Sequence, residues 1–222
     1  MNTAVIIVAG GIGKRMDSLI PKQFLELKGK PILMHTIQKF FNYNNSIKII
    51  LVLPKEQFEI WETLCEKHNF KIKTILVEGG KERFFSVKNG LQYINKNELV
   101  AIHDGVRPLI NNELIETGFN TAKNKKTAIP YINITQSVRK KENEKFICVN
   151  RNDFILIQTP QIFLSDLLLK AYELPFDEQY TDDSSIVEKI TNEITYFKGL
   201  DSNIKITNKI DLIIAESLIE TI

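Results

Sequence analysis

The sequence of 222 residues predicts an α/β fold in which a mostly parallel sheet lies between two layers of helices. Short apolar runs rich in β-branched residues recur along the first half of the chain, and an amphipathic helical pattern follows each of them. The hydrophobic content of 43% is sufficient for one large core. We therefore expect a single domain that covers residues 1–222.

The first half is predicted to alternate between strands and helices. Pro31 marks the start of the first helix, because proline is favoured at the first helical position. Trp61 belongs to the apolar face of the second helix, where core packing explains it without a ligand. The strands are expected at residues 5–8, 47–53, 72–77 and 99–103, and the helices carry apolar stripes at residues 32–40, 58–65 and 84–94.

The alternation breaks between residues 127 and 163, where strand-like segments follow one another. A charged stretch at 139–145 separates two apolar segments, which predicts a β-hairpin arm at about residues 134–150. Phe146 and Ile147 need a surface to pack on, either a partner subunit or the body of the same domain. Helices are then expected at 164–172 and 184–190, a strand near 194–197 and a helix from 209 onwards, which completes a Rossmann-like three-layer sandwich with a projecting arm.

Composition and charge exclude several classes of function. Lys and Arg (29) nearly balance Asp and Glu (27), and no basic run with interleaved aromatic residues occurs, so nucleic acid is not an expected partner. No apolar run approaches membrane-spanning length, and the first strand begins within three residues of the N-terminus, so we expect a cytoplasmic protein. Cys65 and Cys148 lie far apart and predict neither a disulfide framework nor a zinc site.

A glycine-rich segment follows the first predicted strand. Its glycines let backbone amides approach an anion, and two cations accompany them. The segment lacks the ending of a Walker loop and the third glycine of a dinucleotide fingerprint, and Pro21 keeps it extended. It predicts a loop that wraps a triphosphate, with an ordinary strand-to-helix turn as the alternative. The candidate residues are Ala9, Gly10, Gly11, Gly13, Arg15 and Lys22.

Two further loops are predicted at the same edge of the sheet, where ligands bind in open α/β folds. Gly80 and Arg83 lie between the third strand and its helix, with Ser86 in the first helical turn. Asp104 and Arg107 follow the fourth strand. A single carboxylate there suits a Mg²⁺ ion shared with a triphosphate, whereas an ion pair between Asp104 and Arg107 is the structural alternative.

The second half supplies polar residues from loops. Arg151, Thr159, Thr181 and Lys205 together offer two cations and two hydroxyls, enough to bind a second, phosphorylated molecule. The sequence contains no nucleophile paired with a base, and His103 is predicted to pack or hydrogen-bond rather than act as a base. Catalysis is therefore expected to depend on positioning and charge.

These motifs together resemble the 2-C-methyl-D-erythritol 4-phosphate cytidylyltransferase family over nearly the whole chain. The resemblance implies transfer of CMP from CTP to methylerythritol phosphate, which forms 4-diphosphocytidyl-2-C-methyl-D-erythritol and pyrophosphate in isoprenoid precursor biosynthesis. It also implies Mg²⁺ as cofactor and a homodimer that exchanges its arms. The resemblance rests on residues 9–16 with 21–23, on residues 79–86, on His103-Asp104 with Arg107-Pro108, on Thr159-Pro160-Gln161, on Thr181-Asp182 and on residues 203–207.

The resemblance also implies a role for each matching residue. Arg15 and Lys22 are the expected catalytic residues, which stabilise charge at the α-phosphate. It implies that Asp104 serves either the ribose or Mg²⁺, which the triphosphate otherwise holds, and that Arg151 acts in the site of the neighbouring subunit. The expected nucleotide-binding residues are Ala9, Gly10, Gly11, Gly13, Gly80, Arg83, Ser86, Asp104 and Lys205. The expected substrate-binding residues are Arg107, Ser137, Arg151, Thr159, Thr181 and Lys205.

One segment departs from the family pattern. Where many members have Asp-Thr-Ile-Lys or a Met variant before the arm, this chain has Gln136-Ser137-Val138-Arg139, which keeps a hydroxyl and loses a carboxylate. A ribitol 5-phosphate cytidylyltransferase is therefore the alternative function, since it resembles the same motifs and differs mainly around the acceptor pocket. A non-catalytic nucleotide-binding module is the more distant alternative.

Overall fold

The structure is a computed structural model that describes residues 1–11 and 20–221. The first half contains β1 (Thr3–Val8), β2 (Glu26–Leu27), β3 (Lys30–Pro31), α1 (Ile32–Tyr43), β4 (Lys48–Leu53), α2 (Phe58–Lys67), β5 (Ile75–Glu78), α3 (Arg83–Leu91), β6 (Leu99–Asp104) and α4 (Asn112–Lys125). The second half contains β7 (Thr127–Asn133), β8 (Arg139–Glu142), β9 (Lys145–Cys148), β10 (Ile155–Ile157), β11 (Gln161–Leu164), α5 (Ser165–Ala171), α6 (Asp183–Val187), β12 (Tyr196–Lys198) and α7 (Lys209–Leu218).

The central sheet has the strand order β10-β7-β11-β6-β1-β4-β5, with β12 paired to β7. Strand β1 lies parallel to both β4 and β6, and β5 lies parallel to β4. Strand β11 runs antiparallel to β6 and β7, and β10 runs antiparallel to β7. The prediction of a mostly parallel sheet between helices is therefore confirmed.

Side chains alternate between the two faces of the sheet, as the two-residue period of a strand requires. Val5 and Ile7 of β1 pack on one face, under α1, α2 and α4. Ala4 and Ile6 pack on the other face, under α3, α5 and α6. Because both faces of β1 are covered, its residues form a continuous apolar run. Each large side chain buried in these layers contributes about 1.5–3 kcal/mol to stability.

A third apolar cluster lies beyond the carboxyl ends of β1 and β6. It joins the β2–β3 hairpin to α7 and includes Leu27, Leu109, Ile206 and Ala215. Ile206 donates a backbone hydrogen bond to the carbonyl of Val106 (3.0 Å), which fixes the chain after β12 against the loop after β6. This contact brings Lys205 to the edge of the sheet where β6 ends.

Three elements differ from the sequence-based prediction. Strand β5 begins at Ile75 rather than residue 72, because it is an edge strand that pairs with β4 from that residue onwards. Helix α6 ends at Val187, three residues earlier than expected. The charged residues at 139–142 form strand β8 of the predicted arm. A strand of charged residues is possible here because the hairpin is exposed and none of these side chains has to be buried.

Candidate active site

Two adjoining cavities open at the edge where β1 and β6 end. The first has a volume of about 220 Å³, and the second has a volume of about 430 Å³. Arg83, Asp104 and Lys205 line both. The first cavity is also lined by Ala9, Gly10, Gly11, Lys22, Gly80 and Ser86, and the second by Arg107, Thr159 and Thr181. The structure thus brings together most of the predicted site residues, while Gly13 and Arg15 lie outside the described residues.

Lys22 is positioned by the residue that follows it. The chain forms a 3-10 helix at Lys22–Phe24, in which Gln23 is fully buried. The Gln23 amide donates to the carbonyl of Ala9 (2.7 Å) and to Oε1 of Gln57 (2.6 Å). Since Ala9 directly follows β1, these bonds tie Lys22 to the end of the central strand, on the wall of the first cavity.

The second glycine loop is closed by Ser86. The Gly80 amide donates to Oγ of Ser86 (3.0 Å), and the Ser86 hydroxyl donates to the carbonyl of Glu82 (3.2 Å). A Cβ atom at Gly80 would collide with Phe85, so glycine is required here by the packing of the loop on α3. Ser86 therefore fixes the loop and also lines the first cavity.

Asp104 is the electrostatic centre of the site. Its Oδ2 lies 3.2 Å from Nε of Arg107 and 3.0 Å from Nζ of Lys205, and its Oδ1 lies 3.7 Å from Nε of Arg83. Burial alone would raise the pKa of Asp104, but Arg83, Lys205 and Arg107 hold this pKa well below its usual range. The carboxylate is therefore ionised at neutral pH, and the expected alternative, a pair between Asp104 and Arg107, is present.

These charges bear on the predicted Mg²⁺ site. Residues 1–11 and 20–221 contain no cluster of three or more His, Cys, Asp or Glu side chains that could hold a metal ion. Asp104 already faces three cations, which compete with a metal for its oxygens. The arrangement favours the alternative in which phosphate oxygens and water hold the ion.

Thr159 supports Asp104 from the segment between β10 and β11. Its Oγ1 accepts a hydrogen bond from the Asp104 amide (3.1 Å) and lies 3.0 Å from Nδ1 of His103, while Nε2 of His103 lies 3.1 Å from the carbonyl of Arg107. Burial lowers the pKa of His103 to about 4, so the ring is neutral at pH 7. The prediction that His103 packs and hydrogen-bonds is confirmed.

Two buried amides for which no role was predicted, Gln158 and Asn203, shape the second cavity and its approach. Gln158 donates to the carbonyl of Leu200 (2.8 Å), and Asn203 donates to the carbonyl of Thr159 (2.8 Å). Asn203 also accepts a bond from Nη1 of Arg107 through its carbonyl (2.8 Å). The bond from Arg107 fixes this side chain against Asn203. No motif in the sequence indicates these bonds, because each joins residues about 40 or more positions apart.

A second omission is Asp183. Its neighbour Asp182 caps α6, accepting a bond from the Ser185 amide (2.9 Å). Asp183, however, is fully buried and binds Arg83 through both carboxylate oxygens (3.0 and 2.7 Å). Thr181 is exposed and lines the second cavity, as its predicted role requires.

Two predicted substrate residues lie away from both cavities in the single chain. Ser137 and Arg151 are exposed beside the β8–β9 hairpin, and Nη1 of Arg151 donates to the carbonyl of Thr135 (2.6 Å). Neither residue lines the first or the second cavity. Their predicted contact with substrate therefore requires the arm to reach another site.

The sequence profile of the 2-C-methyl-D-erythritol 4-phosphate cytidylyltransferase family matches residues 3–221. The chain belongs to this family. A relative of that name from Azobacteroides pseudotrichonymphae is 55% identical over 97% of this chain and 98% of its own length, and one from Bacteroides fragilis is 46% identical over 99% of this chain and 100% of its own length.

Solved structures of the family share the fold. A 4-diphosphocytidyl-2C-methyl-D-erythritol synthase from Anaerococcus prevotii superposes with a TM-score of 0.82, at 29% identity over 99% of this chain and 96% of its own. The Thermus thermophilus cytidylyltransferase gives a TM-score of 0.80 at 26% identity, over 99% of this chain and 100% of its own. These findings confirm the predicted family, its fold and its class of enzyme, a cytidylyltransferase of isoprenoid biosynthesis. Across residues 1–11 and 20–221, no helix has both the length and the apolar character needed to span a membrane.

Proposed function

We propose that this chain transfers CMP from CTP to 2-C-methyl-D-erythritol 4-phosphate, with the nucleotide in the first cavity and the acceptor in the second. The observation that carries this assignment is that the two cavities adjoin and share Arg83, Asp104 and Lys205. Two substrates that lie against the same three side chains are close enough for direct transfer between them, since effective reaction requires near contact of the reacting atoms.

The proposed reaction is a single displacement at phosphorus. An oxygen of the acceptor phosphate attacks the α-phosphorus of CTP, a new P–O–P bond forms, and the bond to the β-phosphate breaks to release pyrophosphate. The attacking phosphate is already largely ionised at neutral pH, so no general base is needed. A mechanism without a general base agrees with the state of His103, which is buried and neutral.

The cations of the site divide between the two substrates in this proposal. Lys22, with Arg15, stabilises the charge that develops at the α-phosphate, and the amides of Gly10 and Gly11 face the triphosphate. Lys205 and Arg107 hold the acceptor phosphate in the second cavity, beside Thr181. Asp104 keeps Lys205 and Arg107 in place, since it contacts both.

The proposal includes Mg²⁺ as cofactor, a homodimer and a cytoplasmic location. When bound, Mg²⁺ would neutralise charge on the triphosphate, and Asp104 and Glu82 are carboxylates that line the first cavity. The exposed arm supports dimerisation, because Phe146 and Ile147 remain 71% and 43% exposed in the single chain. In the dimer, Ser137 and Arg151 would reach the second cavity of the partner.

The test is pyrophosphate release by the purified protein with CTP, Mg²⁺ and either methylerythritol phosphate or ribitol 5-phosphate. We expect the higher kcat/KM with methylerythritol phosphate. Faster turnover with ribitol 5-phosphate would establish the alternative acceptor, for which the Gln136-Ser137 departure is the supporting observation. No release with either sugar phosphate would favour a non-catalytic nucleotide-binding module.

A further inference from the structure

We propose that Asp183 is a positioning residue for the transfer reaction, which acts by fixing Arg83 at the junction of the two cavities. Arg83 lines both cavities, whereas Asp183 lines neither. Any effect of Asp183 on substrates must therefore pass through another residue, and the inference rests on the proposed function of the two cavities.

The contact between the two residues has the geometry of a strong, oriented pair. Nη1 of Arg83 donates to Oδ1 of Asp183 (3.0 Å), and Nη2 donates to Oδ2 (2.7 Å). Such a two-point pair fixes the plane of the guanidinium as well as its position. Each of these nitrogens carries a second hydrogen, and the Arg83 side chain remains 31% exposed, so the group can still meet a ligand.

Asp183 is itself held rigidly. It is fully buried and accepts a further hydrogen bond from the hydroxyl of Tyr172 (2.6 Å). The Tyr172 ring stacks on Phe84 with a centroid separation of 4.8 Å, and Phe84 directly follows Arg83 in α3. Helices α3, α5 and α6 thus converge on one carboxylate, which cannot lose Arg83 without leaving a buried charge unpaired.

The pair also controls the distance between Arg83 and Asp104. Nε of Arg83 stays 3.7 Å from Oδ1 of Asp104, beyond hydrogen-bonding range, whereas Lys205 and Arg107 contact Oδ2 closely. Without the charge of Asp183, the guanidinium is expected to move onto Asp104, with which it already forms a longer ion pair. That shift would alter the wall shared by the two cavities, and a displacement of about 1 Å in a reacting site can cost about a hundredfold in rate.

A double-mutant cycle tests the inference, with kcat/KM for CTP measured in the wild type, Arg83→Gln, Asp183→Asn and the double variant. We expect Asp183→Asn to lower kcat/KM at least about tenfold in the wild-type background and less than about twofold in the Arg83→Gln background. Equal losses in both backgrounds would show that Asp183 does not act through Arg83 and would overturn the proposal.

Two further variants separate positioning from simple stability. Tyr172→Phe removes one hydrogen bond to Asp183 and keeps the stacked ring, so a smaller loss that also disappears in the Arg83→Gln background is expected, even where Asp183→Asn folds poorly. Glu98→Gln is the matched control, because Glu98 is a buried carboxylate paired with Lys48 (3.0 Å) just before β6, away from both cavities. It should lower the melting temperature and leave kcat/KM unchanged.

The same cycle distinguishes failure of this inference from failure of the proposed function. Wild-type turnover is measured first, and its absence rejects the proposed reaction. The dissociation constant of CTP, measured by calorimetry on the four proteins, then decides the inference independently of turnover. Where the wild type shows no turnover, coupling between Arg83 and Asp183 in CTP binding supports the inference, and additive changes in CTP binding exclude it.

Discussion

Lys22 is the described residue whose loss should separate binding from catalysis. It lies on the wall of the first cavity, held by the buried Gln23. Lys22→Ala is expected to weaken CTP binding only partly and to lower kcat by about a hundredfold or more, because a cation aimed at developing charge stabilises the transition state most. Calorimetry with CTP and pyrophosphate release give the two quantities.

Lys125→Ala is the matched control for that variant, since Lys125 is an exposed lysine in the last turn of α4. It should change neither quantity. An unchanged kcat in Lys22→Ala would exclude the catalytic role assigned to this residue.

His103 should make stability depend on pH. Burial lowers its pKa from the ordinary 6.5 to about 4, so the unfolded chain binds this proton more readily than the folded one. Stability is therefore unaffected by this group above pH 6.5 and falls as the pH drops towards 4. Between pH 7 and pH 5 the loss through His103 is expected to be about 2 kcal/mol.

Urea denaturation of the wild type and His103→Gln at pH 7 and pH 5 checks this expectation. The variant should lose less stability than the wild type over that interval, because it lacks the titrating ring. The comparison removes the contribution of His35, whose pKa burial also lowers, since both proteins retain it. Equal losses in the two proteins would contradict the assignment.

At the residue scale, sequence motifs identified side chains that lie in one loop and missed those joined across the fold. Asp104, Arg107 and Lys205 were predictable because each follows a strand or belongs to a motif, and the structure brings all three together. Asp183 was not, because a helix-capping segment explains its position equally well. Its partner, Arg83, is 100 residues away in the chain, and only tertiary packing joins them.

Helix α3 depends on a glycine for its approach to the sheet. A Cβ atom at Gly90 would lie 2.8 Å from Cγ2 of Ile6 and 3.3 Å from Cγ2 of Val52, both buried side chains. Gly90→Ala is therefore expected to destabilise the protein by about 1–3 kcal/mol through overpacking. This loss would outweigh the gain of about 1 kcal/mol that alanine brings to an open helical position.

Urea denaturation of Gly90→Ala measures that balance. Asn124→Ala is the control, because Asn124 is an exposed position of α4 where helix propensity acts alone. We expect the control to be neutral or slightly stabilised. A stabilised Gly90→Ala protein would show that α3 can move away from the sheet without cost.

At the element scale, burial decided which predictions were accurate. Strands β1, β4 and β6 are apolar on both faces, and their predicted positions agree with the structure to within about two residues. The exposed hairpin of β8 and β9 lies within the predicted arm at residues 134–150, but the bounds of β8 were not predictable, because Arg139–Glu142 contains only charged residues and pairs with β9 without any apolar pattern. The spacing of apolar residues in a sequence reflects which side chains are buried, so an element that buries no side chain in its own chain has no such spacing.

For the whole molecule, the arm was predictable and its partner was not. All residues of β8 and β9 are exposed in the single chain, and an isolated two-stranded hairpin is at best marginally stable in water. The sequence indicates that Phe146 and Ile147 pack on another surface. It does not indicate whether that surface belongs to the same domain or to a partner subunit. Ser137 and Arg151 pose the same problem, since they lie outside both cavities of their own chain.

Mixed dimers can decide whether Arg151 acts in the partner's site. Lys22→Ala and Arg151→Ala chains, each inactive alone, are co-expressed with different tags, and the heterodimer fraction is purified. If Arg151 reaches across, one of the two sites of each heterodimer contains both an intact Lys22 and an intact Arg151, so the purified heterodimer should show about half of wild-type turnover. If Arg151 acts in its own chain, every site lacks one of the two residues and no activity returns.

A protein that light scattering shows to be monomeric at assay concentration would exclude the shared site directly.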